Sequence, residues 1–167
     1  NIEKEVVERN SEVIMSETSF DRSIEPEKGP TPELKIPAQW STVLDNGMKV
    51  YGIEFNELPL VQISMVIEGG HYHDEITKNG VANLVTDIMM QGTANKTPEE
   101  LEEAIEELGA RISISAGNES VNASLSCLAK NYTKALALME EMLLEPRWDE
   151  GEFEIIKESV RNGLEQQ

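Results

Sequence analysis

The sequence predicts an α+β fold in which helices cover one face of a sheet. Three observations carry this expectation. Polar and apolar residues alternate over LVQISMVIEGG (60–70), RISISA (111–116) and SVNASLSCLA (120–129), the period of half-buried strands. Apolar residues recur at helical spacing over 77–91, 97–109, 132–145 and from Asp149 onward. The order runs strand, strand, helix, helix and then repeats, which is pairing by type and not strand–helix alternation.

Residues 1–38 precede this pattern. Four of the seven prolines, Pro26, Pro30, Pro32 and Pro37, crowd into EPEKGPTPELKIP, the composition of a stiff, extended connection. NIEKEVVERNSEVIM before it is highly charged and only weakly periodic, so 1–38 reads as a tether and 39–167 as the domain. The chain opens on Asn1, and NGLEQQ stops inside a helical pattern. A processed or excised piece, truncated at the C-terminal end of its domain, is therefore expected.

LDNG (44–47) is a hairpin signal and leads into the strand KVYGIEF. The next strand turns Val61, Ile63, Met65 and Ile67 to one side. The 77–91 helix is expected to bury Val81, Leu84, Val85 and Ile88. Thr97, Pro98 and Glu100 supply an N-cap, a first-turn proline and a capping-box glutamate for the second helix. Its apolar stripe is Leu101, Ile105 and Leu108, and Gly109 ends it. Val121, Ala123, Leu125 and Cys127 face inward from the strand after RISISA. The third helix is expected to bury Leu136, Met139, Met142 and Leu143. Asp149 caps a fourth, which carries Phe153, Ile156, Val160 and Leu164.

A chain of 167 residues, 39% hydrophobic, suits one domain with a real core. Its 32 acidic and 14 basic residues give a net charge of -18, which repels phosphate backbones and excludes nucleic-acid binding. No apolar run approaches the roughly 20 residues of a bilayer span, so no membrane insertion is expected. Cys127 is alone and forms no internal disulfide. No P-loop, GxSxG elbow or dinucleotide fingerprint is present.

GVANLVTDIMMQGT (80–93) has the spacing of a helix that presents side chains to a metal, yet it holds neither histidine nor glutamate. Together with LDNGMKVYGIEFNELPLVQISMVIEGG, TPEELEEAIEELGARIS and NYTKALALMEEMLLEPRWDEGEFEIIKE, it resembles the pitrilysin/insulinase family of zinc peptidases over about 41–162. The resemblance implies a two-layer domain with a mixed, largely antiparallel sheet and helices on one face. Such domains are used in pairs or fours to enclose a peptide.

In active members the helix reads roughly G-[LV]-A-H-F-L-E-H-M-x-F-x-G-T, an inverted zincin motif. Gly80, Val81, Ala82, Gly92 and Thr93 match it. The two histidine positions fall on Asn83 and Asp87, the glutamate position on Thr86, and the third ligand's position near Asn162. Residues at i and i+4 share a helix face, so Asn83 and Asp87 point together with Thr86 beside them. Zinc takes imidazole, thiolate or carboxylate, which leaves Asp87 as the single normal donor. A threonine hydroxyl gains no proton near neutral pH and is no general base. Without the resemblance, the same three residues are simply the polar face of an amphipathic helix.

His71 and His73 in GGHYHDE would sit about 7 Å apart on one side of an extended chain. A metal site with Asp74 or Glu75 is set aside, because closed zinc sites need four ligands. The methionines at 89, 90, 139 and 142 are core filler, and EELEEAIEE is a wet helix face without a calcium-loop turn. N-x-[ST] matches at Asn95, Asn118, Asn122 and Asn131 carry no weight alone.

The resemblance thus implies a non-catalytic domain, with no catalytic, cofactor or metal residues of its own. It would close a peptide-binding chamber opposite a catalytic half that carries the zinc. The alternatives are a separate inactive subunit that pairs in trans and a purely structural relative. The partners implied are a catalytic peptidase-fold domain or subunit and a peptide substrate. An exported, periplasmic location is the compartment expected of a bacterial member.

Overall fold

The structure is a computed structural model that describes residues 23–25, 28–31, 33 and 36–165. The tether expected over 1–38 falls largely outside them. The chain divides into two compact units, Asn1–Tyr51 and Gly52–Gln167. Strands β1 (Gln39–Val43) and β2 (Lys49–Ile53) form a two-stranded sheet around the LDNG turn. There Gly47 N–H donates to the Leu44 carbonyl at 2.8 Å, and Met48 N–H donates to Asn46 Oδ1 at 3.0 Å. β1 is the other arm of the hairpin and adds one strand to the expected order.

The second unit holds β3 (Leu60–Glu68), α1 (Val81–Met89), α2 (Pro98–Glu107) and β4 (Arg111–Ala116), then β5 (Ser120–Leu128), α3 (Tyr132–Leu144) and α4 (Glu150–Glu165). Its sheet runs β3-β5-β4, and both pairings are antiparallel. Leu125 lies opposite Ile63 on one side and Ile112 on the other, and Ala123 lies opposite Met65 and Ile114. Strict alternation sends these residues to one face, where they join Leu101, Ala135, Leu138, Met139 and Met142 in the core. The α+β class stands.

The opposite face is mostly polar, with Leu60, Val66 and Leu128 exposed on it. Ser64 Oγ donates to Asn122 Oδ1 at 2.8 Å, and the Ser113 and Ser124 hydroxyls share a 2.8 Å hydrogen bond. Ser115 and Ser126 extend this side along β4 and β5. Asn131 ties the two halves of the helical layer, donating through Nδ2 to the Leu108 carbonyl at 2.8 Å.

Ile67, at the end of β3, lies on the expected side but is exposed, beyond Met65, the last residue of the strand packed on the core. Four expectations are corrected. α1 starts at Val81 and not near 77, because Gly80 holds a φ of +97° that no helical turn contains. α1 buries Thr86 and Ile88, leaving Leu84 half-buried and Val81 and Val85 exposed. It packs against both β4 and α4, so cover comes from two flanks and not from one stripe. α3 buries Ala135 and Leu138 with Met139 and Met142, while Leu136 and Leu143 are only partly covered. Along α4, Phe153 and Ile156 are half-buried and Val160 and Leu164 exposed, because α1 is a short helix and covers little of it.

Candidate functional site

Helix α1 is fixed at both ends by residues of the 80–93 stretch and their partners. Gly80 offers no capping side chain, so the cap comes from Asp74. Its Oδ2 accepts from Gly80 N–H and its Oδ1 from Ala82 N–H, both at 3.0 Å, and His71 Nδ1 lies 3.4 Å from Oδ2. Burial pushes the Asp74 carboxyl up, but the two amides and His71 outweigh it and hold the group below the usual carboxylate range.

At the other end Gly92 also has a φ of +97°, and a Cβ there would sit 2.6 Å from the Lys96 carbonyl oxygen. Only glycine fits. Thr93 is 1% exposed, and its hydroxyl donates to Glu141 Oε1 at 2.6 Å. Lys96 Nζ meets Glu141 Oε2 at 2.8 Å, and Ala94 N–H donates to the Glu145 carbonyl at 2.7 Å. The Lys96 and Thr93 hydrogen bonds, which outweigh burial, lower the Glu141 carboxyl. Gly80, Gly92 and Thr93 are therefore parts of the frame.

The chemical positions are arranged differently from the expectation. Asn83 and Asp87 are both exposed, on the one helix face that their i, i+4 spacing gives them. Thr86 is not beside them in solvent. It is 2% exposed, and its hydroxyl donates back to the Asn83 carbonyl at 3.0 Å, which satisfies it within the helix. Asn162 lines a shallow recess on α4 with Glu154, Ile155, Glu158, Ser159 and Gly163, apart from Asp87. The α4 carboxylate that shares a groove with Asp87 is Glu152. Sequence reasoning missed it because it counted from the family's spacing. The i, i+4 ladder Glu152, Ile156, Val160 was the signal that could have found it.

Asp87 is exposed by area, but partial desolvation at the groove wall pushes its carboxyl up. Among the described residues, no three His, Cys, Asp or Glu side chains converge as a metal would require. An amide, a buried hydroxyl and one carboxylate do not fit zinc. His71–His73 form a 3-10 turn and not an extended end, because His71 and Tyr72 N–H donate to the Gly117 and Asn118 carbonyls and draw the chain round. His71 faces Asp74 and is occupied there.

Comparisons with known proteins bear on the fold and the family. The family model described as Insulinase (Peptidase family M16) matches residues 54–167. The chain is 22% identical to cytochrome b-c1 complex subunit 1, mitochondrial, of Bos taurus, over 78% of this chain and 27% of that protein. It is 22% identical to mitochondrial-processing peptidase subunit beta of Rattus norvegicus, over 80% of this chain and 27% of that protein. The chain thus spans about a quarter of the length of these curated relatives. Among solved structures it is similar to a peptidase M16 inactive domain from Pseudomonas fluorescens, with a TM-score of 0.73 and 27% identity, over 77% of this chain and 32% of that one. A protease from Helicobacter pylori shares the fold at a TM-score of 0.67 and 19% identity, over 77% and 31%. With residues 54–167, well over half of its length, matched by the family model, the chain belongs to the insulinase family of peptidases.

Proposed function

We propose that this chain is a non-catalytic domain of a larger zinc metallopeptidase, closing a peptide-binding chamber opposite a catalytic half that carries the zinc. The observation that supports this most is the split within α1. The residues that build the helix's frame persist, while positions 83, 86 and 87 hold an amide, a buried hydroxyl and a lone carboxylate. Such a helix serves a partner as architecture. The polar sheet face adds support, because small uncharged side chains such as Ser64, Ser113 and Ser124 suit a wetted wall better than an obligate interface core, which is apolar. On this proposal 1–38 is the tether between two halves in cis.

Two measurements test it. The coding sequence upstream of Asn1 should contain an H-x-x-E-H helix. The purified chain should retain no stoichiometric zinc after dialysis and cleave no unstructured peptide, whereas the parent protein does. About one zinc per chain that survives mild chelation, with hydrolysis, overturns it. The bovine relative favours a second reading, a structural subunit of a larger complex or an inactive subunit that pairs in trans. Isolation of the native assembly separates these: a hydrolytically silent complex supports the structural role, and a separate active subunit supports pairing in trans. Among the described residues no helix is long and apolar enough to cross a membrane. We extend the proposal to an exported compartment such as the periplasm, which cell fractionation checks.

A further inference from the structure

Helix α4 packs on α1 yet contains no buried residue, and its Ile155 is 65% exposed and Val160 41%. Between the two helices runs a groove of about 350 Å³. Met90, Ile155, Ile156 and Val160 give it apolar walls, and Asp87 from α1 and Glu152 from α4 give it two carboxylates. Neither carboxylate has a side-chain hydrogen bond or ion pair among the described residues. An apolar trough with unpaired anions is complementary to apolar side chains accompanied by cations. Met90 can reshape to fit different anchors. A second copy of this chain is a poor occupant, since each copy carries a net charge of -18.

We propose that the α1–α4 groove docks a segment of a partner polypeptide that presents apolar side chains beside lysine or arginine. The inference does not rest on the chamber proposal, because the groove lies in the helical layer and needs neither a catalytic half nor a substrate.

The test uses the full chain and three short fluorescent peptides, built of leucine and lysine, leucine and glutamate, or lysine and glutamine. The leucine–lysine peptide should bind and the other two should not, read by fluorescence anisotropy. Asp87→Asn combined with Glu152→Gln should weaken binding at least about fivefold, and so should Ile155→Ser. Removing the same charge on α2, Glu102→Gln with Glu106→Gln, should leave the affinity unchanged. Equal loss in that control would mean diffuse attraction to an acidic surface and would overturn the groove. Binding of either control peptide as tight as that of the leucine–lysine one overturns it as well. So does a dimer seen by light scattering that Ile155→Ser dissolves, since the occupant is then a second copy.

Discussion

The carboxylate of Asp74 reaches six and eight residues forward to cap α1, where Gly80 has no side chain to offer. Its folded-state pKa lies below the ordinary value, so its stabilisation is complete above that value and is lost as pH falls through the folded one. We expect protection of the Gly80 and Ala82 amides, relative to intrinsic exchange, to hold above about pH 4 and to fall as the pH drops below it. Asp74→Ala should lower protection at all pH and abolish that dependence; the same profile in both proteins would mean that the clamp is idle. At the other end, Thr93→Val leaves a part-buried carboxylate short of a donor and should cost about 1–3 kcal/mol by chemical denaturation. None of this was legible in the sequence. Asp74 read as a possible metal neighbour of two histidines, and Thr93 as a motif match, because partners such as Glu141 lie 48 residues away.

Among the elements, α2 follows its sequence closely. Both capping-box bonds form, Glu100 N–H to Thr97 Oγ1 at 3.2 Å and Thr97 N–H to Glu100 Oε2 at 2.9 Å. Thr97→Ala should therefore cost about 1 kcal/mol, measured by denaturation. α1 departs from its sequence, since periodicity says which side chains are apolar but not which surfaces approach. Ile88 is 3% exposed and Leu84 only half-buried, so Ile88→Ala should cost about 2–5 kcal/mol and Leu84→Ala less. Equal costs would show that the helix is seated differently. The same geometry bears on rebuilding a metal site. Asn83→His with Asp87→His puts two imidazoles on one exposed face, and zinc affinity should rise modestly in a calorimetric titration. Adding Thr86→Glu should destabilise the fold, because it forces a carboxylate into a position that is 2% exposed.

At the scale of the molecule, the class and the inward faces of β4 and β5 were legible, because Ile112, Ile114, Ala123, Leu125 and Cys127 alternate without a break. What covers α4 was not, because an amphipathic helix announces an apolar side without naming its neighbour. The order β3-β5-β4 leaves β3 and β4 each with one hydrogen-bonding edge that no strand occupies among the described residues. Such edges are templates for pairing with another copy, and like charge is one way in which proteins keep copies apart. Here 32 acidic residues against 14 basic ones provide that repulsion, and it vanishes towards the isoelectric point of about 4.4. Mild acid should then bring edge-to-edge aggregation before it brings unfolding, and concentrated salt should do the same by screening. Storage and crystallisation at neutral pH and low ionic strength follow from the strand order and the charge together.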